Sequence, residues 1–495
     1  MKMKKIISIL FLAFSIVSCE NLESINDNPN SPVEVSPQSI LPTICKDAFY
    51  RSSGGMYAQK MVIQTDGHNT DQFFEWNRGS FDPYNTSLLQ VKKMEEEATR
   101  TESPAYVALA KFFRACYFYG LTLRFGDIPF SEALQGEDGD NFSPKYDTQN
   151  NVFEGILQNL TDADNELKEV ADEGVTIDGD LIYNGDASQW RKLVNSFHLK
   201  VLMTLSHHTT VGSHNIADEF KAVAQKPLME SNDDNGQLVY MDQEGSRYPQ
   251  FNAQWSGYYM DKTYIDRMAD RKDPRLFLFC LPTNEAATAG KAVDDFTAYA
   301  GGDPAVPYGD NITLVKDGKI SQINDRFRIH PVGEPTMLMG YAELQQVLAE
   351  AVVRGWISGD AKDYYESGVK ASFQWYETYA SDYSQYVTQD AALQYLQEDL
   401  VKFSSDLTTD EEIERIILQK YFVSFYQGDW DPFFEHLRTG YPSFKHVAGT
   451  EIPYRWMYPD TEYKYNTENV ETAITRQFGA NNDDPHEKTW WLEND

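Results

Sequence analysis

Ser103-Pro104-Ala105-Tyr106-Val107-Ala108-Leu109-Ala110-Lys111-Phe112-Phe113-Arg114-Ala115-Cys116 is the stretch that decides the fold. Serine followed by proline is a helix-opening pair, because proline presets the backbone angle of the first turn and its missing N–H is one that no helix start could satisfy. Beyond it Ala105, Ala108, Leu109, Phe112, Phe113 and Cys116 keep the i, i+3, i+4 spacing of a helix. The remaining positions are also largely apolar, which predicts a helix covered on nearly all sides and therefore central.

The same period recurs along the chain. Ser36-Pro37 marks an earlier helix start. Trp190, Leu193, Val194, Phe197, Val201 and Leu205 predict one helix, and Tyr341, Leu344, Leu348 and Val352 another. Asp360 is placed to cap a further helix through Ala361, Tyr365, Val369, Phe373 and Tyr376. Thr409 with Glu412 reads as a capping box for a helix through Ile413, Ile416, Ile417, Tyr421 and Phe425. The spans 336–355 and 360–380 have the length and aromatic content of a tetratricopeptide-like hairpin, without a strict fixed period. The fold expected is mainly α: a helical body of degenerate tetratricopeptide-like helix pairs. One loop-rich insertion with a few short strands interrupts it.

That insertion spans 231–335, where Gly, Pro, Asn and Asp are frequent and helical periodicity is patchy. Ile312 to Lys316, before the Asp317-Gly318 turn, reads as one of its strands. Loops on a rigid scaffold are where binding surfaces concentrate, so this segment is the expected ligand face. The tail from Gly449, ending Trp490-Trp491, reads as irregular.

The N-terminus has the three-part order of a secretory signal. Lys2, Lys4 and Lys5 precede the apolar run Ile6 to Val17, which is too short to span a bilayer. Ile16-Val17-Ser18-Cys19 resembles a bacterial lipobox. This divides the chain into a cleaved signal at 1–18, a polar tether at 19–35 and one helical domain at 36–495. Lipidation falls on Cys19, and two or three acyl chains (palmitate among them) exceed what a single chain can anchor. The membrane contact expected is through that anchor alone.

The chain carries a net charge of −33. Such a field repels phosphate backbones, so nucleic acid is excluded as a partner. Hydrophobic content of 41% excludes global disorder. Cys45, Cys116 and Cys280 make an odd count with no CxxC pair. Cys45 and Cys116 sit among apolar residues at helical spacing and read as buried thiols rather than metal ligands. His207, His208 and His214 follow a helix end, where imidazoles meet the dipole favourably. Ser231, Asp233, Asn235, Gly236 and Asp242 imitate a calcium loop but lack its final Glu, and read as a turn. No metal ligand set is assigned and no cofactor is implied.

With 28 Phe, 30 Tyr and 9 Trp, aromatic rings outnumber what periodic core faces require, and many stand in polar loops. Such rings stack on sugar rings or on peptide side chains, and Tyr and Trp add donors. Two clusters are the candidates. Phe73-Phe74-Glu75-Trp76-Asn77-Arg78 runs on to Phe81-Asp82-Pro83-Tyr84. The second comprises Arg247-Tyr248, Trp255 and Tyr258-Tyr259, with Tyr299 and Tyr308 nearby in a Gly/Pro-rich stretch. The candidate ligand contacts are thus Phe74, Trp76, Tyr84, Arg247, Tyr248, Trp255, Tyr258 and Tyr308, and for each ring the alternative is packing against a neighbouring loop. A groove lined by Trp76 or Trp255 would favour ligand capture. A closed surface there would favour a protein scaffold, and a deep pocket with two carboxylates a glycoside hydrolase. GxSxG, HExxH, P-loop and GxGxxG motifs are all missing, so no catalytic residue is named and binding is the expected activity.

The residues also carry a family resemblance. Phe112-Phe113-Arg114-Ala115 leading to Phe125-Gly126-Asp127-Ile128-Pro129-Phe130-Ser131-Glu132-Ala133 is similar to a segment of SusD/RagB-like lipoproteins. Trp190-Arg191-Lys192-Leu193-Val194-Asn195-Ser196, Asp273-Pro274-Arg275-Leu276, Tyr341-Ala342-Glu343-Leu344, Gln419-Lys420-Tyr421, Ile452-Pro453-Tyr454-Arg455 and Tyr458-Pro459 follow in the family's order. Asn26-Asp27-Asn28-Pro29-Asn30-Ser31-Pro32 and the terminal Trp-Trp resemble its SusD-like 2 branch. The resemblance implies a lipid-anchored protein on the outer face of the outer membrane. It would bind a glycan, an oligosaccharide, or alternatively a peptide. Delivery would be to a SusC-like TonB-dependent barrel, and Glu20 and Glu23 fit the acidic sequences that accompany surface export.

Overall fold

The computed structural model describes residues 34–494, so Cys19 and the signal segment lie outside the described residues. Helices of eight or more residues are labelled in chain order. They are α1 (Pro37–Ala48), α2 (Ser87–Arg100), α3 (Pro104–Phe125), α4 (Gln149–Asp172), α5 (Ala187–Thr204), α6 (Ile216–Val223) and α7 (Lys262–Asp270), then α8 (Tyr308–Lys316), α9 (Tyr341–Val353), α10 (Ala361–Tyr379), α11 (Thr409–Val423), α12 (Asp431–Thr439) and α13 (Thr467–Phe478). Six short strands pair in twos: β1 (Val62–Gln64) with β5 (Tyr258–Met260), β2 (Thr210–Val211) with β3 (His214–Asn215), and β4 (Gly236–Leu238) with β6 (Thr336–Met339). Consecutive helices pack as pairs, α2 on α3, α4 on α5 and α9 on α10, with α3 also lying along α4 and α11 against α9. Among the described residues no helix is long and apolar enough to cross a membrane.

Helix α3 is central, as its composition predicts. Phe112 and Phe113 meet Trp190 of α5 edge-on at 6.0 and 5.7 Å, and Phe49 reaches the same indole from below α1 at 6.4 Å. Trp190 is fully buried, and its indole N–H donates to Asp180 at 2.9 Å, so the one polar atom of the ring is satisfied. Charged side chains lock the pairs to one another. Lys200 of α5 reaches Glu343 of α9 at 3.0 Å and Asp431 of α12 at 2.6 Å. Arg438 of α12 grips Glu350 of α9 and Glu435 of its own helix.

Several local expectations shift. Ile312–Lys316 is not a strand but the end of α8. Pro307 precedes the helix and Asp310 sits in its first turn, and this start signal outweighs the β-branched Ile312, Thr313 and Val315. The tail is not irregular throughout: a short helix at Asp460–Tyr465 and then α13 occupy it. Only Val470, Ala473 and Ile474 of α13 are buried, a stripe too thin to stand out from its polar neighbours. The capping box is Thr408 with Glu411, one residue earlier than read, with the Thr408 hydroxyl accepting from the Glu411 N–H at 3.3 Å. The span opening at 336 begins as strand β6, and helix follows only from Tyr341. Ser36 and Ser103 stand where helix caps should, yet neither side chain bonds to the helix, and the following proline makes the start. Cys45 is buried and Cys116 on α3 is largely so, burial pushing both thiols up.

Helix α12 carries a pH-sensitive element. His436 donates from Nδ1 to the Pro442 carbonyl at 2.8 Å and lies beside the Phe444 ring at 4.5 Å. Burial above all, with Arg267 and His446 adding like charge, pulls its imidazole down from the ordinary 6.5 to about 4. A histidine held neutral in the folded state favours folding only while the unfolded chain is neutral too. Between 6.5 and 4 the unfolded state takes up a proton that the native state refuses, so stability falls as pH falls through that window. His436→Asn keeps a donor near Nδ1 without the titration. Urea unfolding at pH 7, 5.5 and 4 is expected to show a shallower loss for the variant, and parallel losses would remove His436 from the account.

Candidate ligand-binding site

The pairing of β1 with β5 builds a partly open aromatic surface on the insertion. Its register sets Gln64 opposite Tyr258 and Ile63 opposite Tyr259. The Tyr258 ring lies 5.3 Å from Tyr57 and 6.4 Å from Trp255, and Trp255 stacks on Tyr426 at 6.4 Å with its plane 20° away. The Arg328 guanidinium is 5.6 Å from the Trp255 ring. Tyr57, Trp255 and Tyr258 are half-buried and packed against the core, Arg328 is half-buried beside them, and Tyr259, next along β5, turns to the opposite face of the strand pair. Gly257 holds the turn between Trp255 and β5. Its φ of +67° is strained for any residue with a Cβ, and the Asp66 carboxylate would have to move aside for one.

Polar groups edge this facet. The Tyr57 hydroxyl donates to Gln64 Oε1 at 2.5 Å, Gln64 Nε2 donates to Asp66, and Ser256 Oγ donates to Asp66 Oδ2 at 2.6 Å. The Thr65 N–H donates to the Gly257 carbonyl at 2.8 Å, fastening the 65–76 segment to the turn. Burial, reinforced by the charges of Asp66 and Asp71, pushes the Tyr57 phenol well above the usual tyrosine range, so it stays a donor. Tyr308 opens α8 and is exposed. The loop before it is tied to the same segment, because Gln72 Nε2 donates to the Pro304 carbonyl at 3.3 Å.

The other candidates have different fates. Trp76 is buried, stacked on Trp456 at 4.0 Å and meeting Trp430 edge-on at 5.4 Å. Phe74 is buried beneath the Lys60 ammonium, 3.9 Å from its ring centre. The Tyr84 hydroxyl donates to the Pro129 carbonyl, and its ring packs on Phe81 and Phe118. This first cluster therefore builds core rather than surface. Tyr248 is also buried, edge-on to Tyr240 at 5.6 Å. Arg247 is exposed and pairs with Asp242 at 2.7 Å, beside Phe251. Phe74, Trp76, Tyr84 and Tyr248, expected as ligand contacts, thus have their faces occupied by other parts of the chain. Tyr57, Tyr426 and Arg328 were missed. Tyr57 alone had a signal, an aromatic two residues after the glycine-rich Ser52-Ser53-Gly54-Gly55.

Among the described residues, no group of three or more His, Cys, Asp or Glu side chains gathers as a metal site would. His207, His208 and His214 turn to separate partners, the carbonyls of Arg438 and Trp490 and the Glu219 carboxylate. In the calcium-like stretch, Ser231 Oγ accepts from the Asp233 N–H and Asn235 Oδ1 from the Tyr341 N–H, so the loop closes on the protein itself.

A scaffold of tetratricopeptide-like helix pairs presenting an aromatic facet on its loops is the build of the SusD class of outer-membrane nutrient-binding proteins. The chain belongs to the SusD-like 2 family, whose model, described as starch-binding and associating with the outer membrane, matches residues 29–459. A SusD homolog from Bacteroides fragilis is 61% identical, with 93% of this chain and all of that one aligned at a TM-score of 0.90. A Bacteroides vulgatus outer-membrane protein of suggested nutrient-binding role is 50% identical over the same shares, at 0.89. A second Bacteroides fragilis homolog is 32% identical over the same shares, at 0.85. No curated protein matches the sequence.

Proposed function

We propose that this chain is a lipid-anchored surface protein, held through Cys19, that captures an oligosaccharide and hands it to a SusC-like TonB-dependent barrel in the outer membrane. It acts by binding and not by catalysis. The observation that carries this reading is the half-open facet of Tyr57, Trp255 and Tyr258 with Gln64, Asp66 and Ser256 at its edge. The C–H-rich face of a pyranose ring stacks on aromatic planes, while its hydroxyls need donors and acceptors close by. Trp255 and Tyr258 are the proposed stacking platform, Tyr308 a contact at the rim, and Arg328 the group that holds the indole in place. The family's description as starch-binding supports a glycan as cargo.

Affinity electrophoresis of the full chain in gels containing soluble glycans, starch first, tests this. Retardation by at least one glycan is the expected outcome. Free migration through every glycan, together with binding of peptides, would replace the carbohydrate reading with a peptide one.

A further inference from the structure

The turn that sets Tyr426 beneath Trp255 carries Asp429 and Trp430 a few residues on, and these line a second cleft of about 590 Å³. That volume lies within the roughly 300–1,000 Å³ of small-molecule sites. Its floor is a strip of α3, where Cys116, Tyr117, Gly120 and Arg124 share one face. Arg51 stands at its side, and Trp430 and Trp456 form a wall, edge-on to each other at 4.7 Å. Trp456 in turn rests on the buried Trp76, so this wall is rigid.

Two independent features single the cleft out. The first is Gly120. It sits in the interior of a 22-residue helix, where glycine weakens the helix relative to alanine. A Cβ there would meet nothing within 4 Å, and its φ is not positive. Neither packing nor backbone geometry asks for glycine, and what it preserves is the open space of the cleft. The second is an incompletely matched ion pair. Arg124 Nη2 meets Asp429 Oδ2 at 3.3 Å, while Arg124 Nε and Asp429 Oδ1 are excluded from solvent with no hydrogen-bond partner. Burial pushes the Asp429 carboxyl up, against the pull of Arg124 and Arg51. At the other end Asp47 accepts from the Tyr117 and Ser87 hydroxyls, and Asp82 is an exposed rim carboxylate.

We propose that this cleft is a second binding site, for a sugar ring that carries a carboxylate. The ring lies against Trp430 and Trp456, and the carboxylate takes the two guanidinium groups of Arg51 and Arg124. Arg51 Nε and Nη1 already donate to the Met337 and Tyr50 carbonyls at 2.5 and 3.0 Å and Arg124 Nη2 to Asp429, so each guanidinium meets the carboxylate through its remaining N–H groups. The cleft lining sets these two arginines against the carboxylates of Asp47, Asp82 and Asp429, so the anion is held by the guanidinium groups locally and not by the net charge of the cleft.

Calorimetric titration of the full chain with methyl glucuronide and with methyl glucoside tests the assignment. The glucuronide is expected to bind saturably and the neutral glucoside at least ten-fold more weakly. Gly120→Trp, which fills the cleft from its floor, is expected to weaken glucuronide binding at least ten-fold, while Gly120→Ala retains it. Arg124→Gln is expected to bring the two sugars to equal affinity. Should Gly120→Trp lose the helical circular-dichroism spectrum, Gly120→Gln carries the same test. Equal binding of both sugars by the wild type, or glucuronide binding untouched by a folded plug at 120, overturns the proposal. So does preference for the C-terminal carboxylate of a short peptide over the glucuronide. Binding lost in Trp255→Ala but kept in Gly120→Trp would place the sugar on the first facet, and overturn this site while leaving the oligosaccharide reading standing.

Discussion

Asp273→Asn is expected to destabilise the protein by about 3–5 kcal/mol, the cost of leaving one member of a buried ion pair alone. Asp273 and Arg275 are both fully buried. Arg275 Nε donates to Oδ1 at 2.9 Å and Nη2 to Oδ2 at 2.5 Å, a two-pronged grip. The rest of the guanidinium is spent on Ser372 of α10 at 3.0 Å and Gln419 of α11 at 2.8 Å, between the rings of Phe373 and Tyr395. This short turn after α7 therefore ties the insertion to two helices of the body. Asparagine keeps the shape but removes the charge, and the guanidinium cannot shed its proton in compensation. Urea unfolding followed by circular dichroism reads the loss. Asp273→Asn with Arg275→Met is expected to recover most of it, since an apolar replacement of the whole pair carries no stranded charge. A single variant within 1 kcal/mol of wild type would show that the pair contributes little.

Asp273-Pro274-Arg275-Leu276 was legible in the sequence as a motif, but its job was not, because Ser372 and Gln419 lie about a hundred and more residues away. The same division runs through the molecule. Helix-forming stretches were readable wherever burial leaves a broad stripe, as in α3, α5 and α10, because a period of 3.6 is a local property of the chain. Helix α13 escaped notice because three buried residues are too few to make a period. The candidate site was half legible for a related reason. Trp76 and Trp255 both stand in polar loops and look alike there. What separates them is Trp430 and Trp456, which close over the first from the far end of the chain, whereas Tyr426 supports the second from one side only. Ring partners set by the tertiary fold have no local spacing by which to find them.

Those two tryptophans give the other large expected effect, in opposite directions. Trp255→Ala is expected to lower affinity for the retained glycan by about 2 kcal/mol, roughly thirty-fold, as truncation of an aromatic anchor at the centre of a binding surface does. Its cost to folding should stay near 1 kcal/mol, because the indole is half exposed and loses only Tyr426, Tyr258 and the Arg328 contact. Trp76→Ala should reverse the pattern. It empties a buried position stacked between Trp456 and Phe433 and is expected to cost about 3–5 kcal/mol of stability. The glycan affinity of its folded fraction should stay within about three-fold of wild type, since the ring is not part of the open facet. Titrating both variants with the same glycan, alongside their unfolding curves, separates a platform from a support. If Trp76→Ala loses affinity as far as Trp255→Ala does while still folded, the facet around Trp255 is not the whole of the site. If Trp255→Ala binds like wild type, the platform lies elsewhere and the β1–β5 facet is only the edge of the core.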